Sequence, residues 1–218
     1  METGQAARSA ETRRRLLEAA VEVFAEEGFR KATLHEIARR ADANIASTGY
    51  HFGSKEGLYT AVFEYAERQT AAAHPPHEEN GTGGAPEERL RRHVTSFLTR
   101  LLDPNRPAWF ARLLAREMID PTPALDRLVR NRMRANHEQL STILRELLGE
   151  DASDEAIRLC ALSVIAQCTF YRNSAPIISR LYPDLVPTKE IERLADHVTR
   201  FSLAAIRGLR AKRKERRA

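Results

Sequence analysis

The sequence predicts an all-α protein in which a small N-terminal helix-turn-helix domain precedes a larger C-terminal helical domain. Three observations carry this. Apolar residues recur at helical spacing along most of the 218 residues, and no stretch keeps the period-two alternation of a strand for long. The first 70 residues hold a run of short, individually capped segments. A segment rich in Gly, Pro and polar residues, 74–85, then breaks the pattern completely and marks a linker.

Residues 1–10 are polar and are expected to form a flexible arm. From Glu11 to Glu27, the residues Leu16, Ala19, Ala20, Val23 and Phe24 form the stripe of an amphipathic helix. Gly28 suits a left-handed stop there, with Phe29 able to pack back on the last turn. Thr33 and Glu36 form a capping box that starts a second, short helix through Leu34, Ile37, Ala38 and Ala41. Asp42 and Ala43 make a turn, and Asn44 caps a third helix from Ile45 to about His51. Ser54 caps a fourth, with Leu58, Val62, Phe63 and Tyr65 or Ala66 on its buried side. This assigns 11–57 to the helix-turn-helix domain and 58–73 to a connecting helix. Beyond the linker, helices are expected at about 86–102, 107–119, 123–148, 153–173 and 188–210, with Pro at or near the first turn of three of them. A shorter helix follows Pro176. These elements make 86–210 the C-terminal domain and leave 211–218 as a basic tail.

The net charge of +5 does not by itself argue for nucleic acid. Residues 1–70 carry ten Lys/Arg against eleven Asp/Glu, residues 71–206 carry eighteen of each, and residues 207–218 carry seven against one. The excess is the tail, so DNA binding has to rest on local geometry. No apolar run reaches the ~18 residues of a membrane span, and the first ten residues lack the apolar segment of a signal peptide, so a cytoplasmic protein is expected. Cys160 and Cys168 would stand about 12 Å apart on one helix, beyond disulfide reach, and read as small buried apolar residues. An enzyme is not expected: there is no phosphate-cradling Gly-rich loop, no Ser in a nucleophile elbow and no Cys/His pair placed for base catalysis. His74, His77 and Glu78 could be taken for a metal cluster, but a linker offers them no second shell, so neither a metal nor a cofactor is expected.

Three short helices and a capped fourth within 70 residues match a helix-turn-helix module whose third helix lies in the major groove. The stretch from Leu34 to Ala41, the turn, and the run Tyr50-His51-Phe52-Gly53-Ser54-Lys55-Glu56-Gly57-Leu58 resemble the N-terminal signature of the TetR family of transcription regulators. The stretches 116–125 and 158–172, with Asn44-Ile45-Ala46 entering the third helix, resemble the subgroup with a CecR-type ligand domain. The resemblance implies a DNA-binding regulator, and the residue chemistry assigns the parts. Thr33, His35, Ser54 and Lys55 stand at helix N-termini suited to phosphates, and the resemblance implies backbone contacts for Tyr50 and His51. Asn44, Ile45, Ala46, Ser47, Thr48 and Gly49 are expected to face base edges: Ile45 and Ala46 suit thymine methyls, and the polar residues can hydrogen-bond. With no Arg or Lys in that helix for guanine, DNA shape is expected to contribute. The sequence departs from the family pattern at Asp42, where a turn glycine is usual, and at Gly49, where an aromatic residue is common.

For the larger domain, the segment 153–173 is apolar almost all round, which requires burial on two sides, and a second copy of the chain would supply one of them. Cys160, Val164, Gln167, Cys168 and Tyr171 there, with Leu194, Val198, Phe201 and Ala205 on the last helix, are expected to form a two-fold dimer interface. Phe97, Leu101, Trp109, Phe110, Leu113, Met133, Phe170 and Tyr171 lie in helices that line ligand cavities in similar proteins, with Arg116, Glu117 and His137 as polar groups to orient a small-molecule effector. Arg112, Met118 and Asn136 stand beside them as further candidates. Partners are thus a double-stranded operator, a second copy and an effector, with no membrane. The competing reading is a helical binding module without operator binding, for which Asp42, Gly49 and the nearly neutral first 70 residues would speak.

Overall fold

A computed structural model describes residues 2–73, 83–105 and 107–215, and the described residues are helical with no strand. The elements are α1 (Glu2–Lys31), α2 (Leu34–Arg40), α3 (Ile45–Phe52), α4 (Lys55–Ala73), α5 (Pro86–Leu101), α6 (Ala108–Ile119), α7 (Pro123–Leu128), α8 (Arg134–Leu148), α9 (Asp154–Asn173), α10 (Ala175–Leu181) and α11 (Ile191–Glu215). A π-helical turn, Val129–Met133, joins α7 to α8, and a 3-10 turn, Pro187–Lys189, precedes α11. The chain divides into two compact units. Residues 1–73 and 106–132 form unit one; residues 74–105 and 133–218 form unit two.

Several boundaries differ from those the sequence suggests. Residues 2–10, expected as an arm, continue α1 as helix, and Arg14 is braced between Glu11 and Glu18 at 2.6 and 2.9 Å. The single helix expected over 123–148 is two, joined by the π turn. Within the segment expected as the C-terminal domain, 86–210, α6 and α7 pack with the N-terminal helices in unit one. Helix α11 runs on to Glu215, through part of the expected tail, while 216–218 lie outside the described residues, as do most of the linker and the group His74, His77 and Glu78.

Unit one is built on Leu16, Ala20, Val23 and Phe24 of α1, Ile37 of α2, and Leu58, Tyr59, Val62 and Phe63 of α4, with Phe110 and Leu113 of α6 joining them. Tyr59 is the hub of its aromatic packing: its ring lies 4.7 Å from Phe24, 4.9 Å from Phe29 and 5.3 Å from Phe63. Gly28 takes φ 79° and kinks the end of α1, and a Cβ there would meet Arg116 Nη1 at 2.9 Å. That Arg116 donates to the Glu26 carbonyl at 2.7 Å, and Arg30 pairs with Asp120 through two 2.6 Å bonds, so α6 is fastened to the end of α1. Beneath them Glu117, 1% exposed, accepts from the Tyr59 hydroxyl at 2.8 Å, from the Thr122 N–H at 2.9 Å and from the Thr122 hydroxyl at 3.0 Å. Thr122 also caps α7, so one carboxylate ties α4, α6 and α7 together.

Unit two packs α5 against α8, α9 and α11. Its core is Leu90, Val94 and Leu98 of α5, Leu140 and Leu144 of α8, Ile157, Ala161, Val164 and Cys168 of α9, and Leu194, Ala195, Val198 and Ile206 of α11. Neither cysteine is in a disulfide, and burial pushes the thiol of Cys168 up to about 12.

Candidate nucleic-acid interface

The helix-turn-helix is assembled by side-chain caps that the sequence places and the structure forms. Thr33 accepts from the Glu36 N–H at 3.1 Å, opening α2. The helix stops where Asp42 takes φ 46° and the Ala43 N–H donates to the Ala38 carbonyl at 3.0 Å, a Schellman-type closure. Asp42 is therefore in the left-handed region, which a family glycine would occupy without steric cost and which Asp tolerates better than most residues. Asn44 accepts from the Ala46 N–H at 2.8 Å and starts α3, and Ser54 accepts from the Gly57 N–H at 3.1 Å at the start of α4.

Gly57 is the residue whose part in this corner was not evident from the sequence. A Cβ at that position would stand 2.1 Å from the Phe52 carbonyl oxygen, so only glycine lets α4 leave so close behind α3. Its place in the Ser54-Lys55-Glu56-Gly57 run was the available signal. Arg13, likewise not singled out, lies over the Phe52 ring at 5.0 Å and packs α1 on the end of α3.

Helix α3 offers one face outward. Asn44, Ile45, Ala46, Gly49 and Tyr50 are exposed, Tyr50 at 81% of its surface, and Ser47 and His51 are partly exposed. An aromatic ring that far out of the core contributes nothing to packing beyond its edge contact with His51 at 5.0 Å. Thr33, His35 and Ser54 are exposed at the neighbouring helix starts. One of the expected contacts needs correcting. Thr48 is 2% exposed and its hydroxyl donates to the Ile45 carbonyl at 2.6 Å, because it lies on the inner face of a helix only eight residues long. Lys55, partly exposed at the start of α4, donates to the Arg30 carbonyl at 3.3 Å and lies 4.8 Å from the Phe29 ring centroid, with further donors left on its ammonium. On α2, Glu36 is held down to about 2 by its bonds to Arg39 and then Arg40, and Arg40 also reaches Glu26 at 2.8 Å.

The residues expected around an effector are shared between the units. Trp109, Phe110, Leu113, Arg116 and Glu117 belong to unit one. Phe110 and Leu113 are buried in its core, Trp109 stacks on Tyr65 at 6.3 Å, and Arg116 and Glu117 make the bonds described above. Glu117 has both oxygens met by its own chain, which corrects its reading as a ligand-orienting group. Phe97, Leu101, Met133, His137, Phe170 and Tyr171 belong to unit two. Phe97, Leu101 and Tyr171 are half-buried against its core, His137 meets Ser141 at 3.2 Å, and Met133 and Phe170 are exposed.

The residues expected at a dimer face divide between the core and the surface. Val164, Cys168, Leu194 and Val198 are buried in the core of unit two and Cys160 packs against it, because these positions point toward α5 and α8. Gln167 donates to Ser202 at 3.2 Å, a bond that joins α9 to α11, and Tyr171 is half-buried. Phe201 and Ala205 are exposed as expected. They are accompanied by Leu159, Leu162, Ala166 and Phe170, which the sequence reading did not choose for this face.

Comparison with known proteins relates both parts of the chain to transcription regulators. Residues 16–62 match the model of the bacterial regulatory proteins of the tetR family, and residues 86–206 match that of the C-terminal domain of the HTH-type transcriptional dual regulator CecR. The HTH-type transcriptional repressor NicS of Pseudomonas putida is 30% identical over 95% of this chain and 97% of its own. The dual regulator CecR of Shigella flexneri is 27% identical over 74% of this chain and 76% of its own. Among solved structures, a linker mutant of HlyIIR superimposes with a TM-score of 0.58 at 25% identity, covering 85% of this chain and 97% of that one.

Proposed function

Because the chain belongs to the TetR family of regulators and carries a CecR-type C-terminal domain, we propose that it is a cytoplasmic repressor that binds a palindromic operator as a dimer and leaves it on binding a small molecule. Its relatives are regulators and not enzymes, and the chain is a DNA-binding transcription regulator. Among the described residues no helix is long and apolar enough to cross a membrane. The observation that carries the reading is the outer face of α3, where Asn44, Ile45, Ala46, Gly49 and Tyr50 stand clear of the core on a helix capped at its start.

In this reading α3 enters the major groove, Ile45 and Ala46 meet thymine methyls, and Asn44 with Ser47 hydrogen-bonds base edges or phosphate. Tyr50, His51, Thr33, His35 and Ser54 fix the register on the backbone. The second copy docks on the apolar strip Leu159, Leu162, Ala166 and Phe170 of α9, continued by Phe201, Ala205 and Leu209 of α11, two rows at helical spacing on adjacent helices. Repression is supported by the name of NicS, while CecR is named a dual regulator. Ligand control is supported by a similar fold, at 16% identity, solved with stearoyl-CoA in the FadR regulator of Bacillus subtilis. Ligand then acts by favouring a state in which the paired α3 helices no longer fit the half-sites, and release follows from the difference in ligand affinity between the states.

The test is a binding titration of the full chain on DNA taken from upstream of its own gene, with light scattering for the oligomeric state. A dimer is expected, with Phe201→Asp and Leu162→Asp reducing it to single chains and weakening DNA binding together. Single chains for the unsubstituted protein, or tight DNA binding by single chains, would remove the two-fold operator model.

A further inference from the structure

Unit two contains a buried polar side chain that the chain itself does not fully meet. His93 on α5 is 2% exposed, and the one side chain that bears on its ring as a hydrogen-bonding group is Gln139 of α8. A neutral imidazole carries one N–H and one bare nitrogen, so at least one of the two is buried unused. Folded proteins rarely keep such groups without a reason, and a partner supplied from outside is one.

The neighbouring groups specify the chemistry of that partner. Arg100 lies on the same side of α5, spaced from His93 through Ser96 by three and four residues, and its guanidinium donates to Ser96 Oγ at 2.6 Å and to Asn136 Oδ1 on α8 at 3.3 Å. Burial, and then the charge of Arg100, push the pKa of His93 down to about 4 against a smaller opposing pull from Gln139 of α8, so the ring is neutral at physiological pH. At the end of α5, the half-buried Arg172 of α9 donates to the Leu101 carbonyl at 2.8 Å and adds a second positive charge. Leu98 of α5 and Leu140 and Leu144 of α8 belong to the apolar core that these two helices share. The seam thus combines positive charge and a buried imidazole on helices that pack through an apolar core.

We propose that the α5–α8 seam is the polar anchor of the effector site and takes an organic acid, a carboxylate on a compact apolar body held by the His93 N–H and the Arg100 guanidinium. This deepens, and rests on, the reading of the chain as a ligand-responsive regulator. A carboxylate accepts several hydrogen bonds at once and is the complement of an N–H beside a guanidinium, whereas the matching amide brings no charge and presents N–H groups to donors. Asn136 and Gln139 stand on the facing helix to fix its orientation.

The experiment is calorimetric titration of the full-length protein with benzoate and with benzamide, for the unsubstituted chain, His93→Leu and Arg100→Gln. Benzoate is expected to bind the unsubstituted chain, benzamide to bind at least about tenfold more weakly, and each variant to lose about tenfold or more for benzoate. Equal affinity for acid and amide, unchanged benzoate affinity in both variants, or no binding up to about 10 mM would overturn the proposal. Thermal unfolding provides the check on folding: replacing an unmet buried imidazole by a leucyl group should raise the melting temperature of the unliganded chain by about 2–4 °C, and a fall would show that the ring is already satisfied. Adding benzoate to the protein–DNA complex then separates the two claims. Release supports both, while benzoate that binds through His93 and Arg100 without loosening DNA leaves the site standing and removes ligand-induced release.

Discussion

Each unit of the molecule buries one demanding polar side chain, and the two are treated oppositely. In unit one the Glu117 carboxylate, 1% exposed, is met on both oxygens by Tyr59 and Thr122. In unit two the His93 imidazole, 2% exposed, has Gln139 beside it and keeps at least one nitrogen unmet. A buried carboxylate with its bonds made specifies one arrangement of the helices around it, and here those are α4, which leaves directly behind α3, and α6 with α7. An imidazole with its bonds incomplete leaves its surroundings short of a partner. The difference fits the proposed division into a DNA-reading unit that holds its shape and a unit that responds to an effector.

The strongest way to break the comparison is Glu117→Leu, which strands the Tyr59 hydroxyl and the Thr122 N–H in the interior. A loss of about 3 kcal/mol or more in urea unfolding is expected, with DNA binding weakened as α4 loses its fixing point. Little change would mean that the network is not what holds unit one. Gly57→Ala tests the same unit from the other end: its Cβ would press on the Phe52 carbonyl at 2.1 Å, and a cost of about 2–3 kcal/mol is expected, readable as a lower melting temperature.

The contrast also has a pH signature. His93 has a folded pKa of about 4, below the usual 6.5, so the unfolded chain takes up the proton first. The penalty for burying it is smallest above pH 6.5, where the ring is neutral in both states, and stability falls as the pH drops toward 4, by at most about 3 kcal/mol. His93→Leu should flatten that part of the pH–stability curve, and an unaltered curve in the variant would contradict the burial argument. The smallest effect belongs to the turn. Asp42→Gly removes a left-handed non-glycine residue, φ 46°, and is expected to change stability by no more than about 1 kcal/mol, in the stabilising direction.

The parts of this molecule that were legible in the sequence are those fixed by near neighbours. Thr33, Asn44 and Ser54 each cap the helix that follows, since a side-chain oxygen two or three residues ahead of an N–H is a local arrangement. Tyr50 and Ile45 on the outer face followed from the same phase. The inward turn of Thr48 did not, because eight residues of α3 give too short a stripe to fix which side faces the core. Helix α9 failed for the opposite reason: with apolar residues on every side, its sequence has no phase, and Val164 and Cys168 proved internal while Leu162 and Phe170 face outward. The π turn at Val129–Met133 has no Gly or Pro to announce it. Glu117 and His93 were beyond reach because what meets a buried polar group is decided by distant segments, such as Tyr59, 58 residues from Glu117.

The central claim is that the exposed face of α3 grips DNA, and fluorescence anisotropy of operator DNA with the unsubstituted chain and Tyr50→Ala tests it most directly. At 81% exposure the ring supports no core, so the melting temperature should stay the same while the dissociation constant rises about tenfold. Equal affinity for DNA in the two proteins would contradict the account.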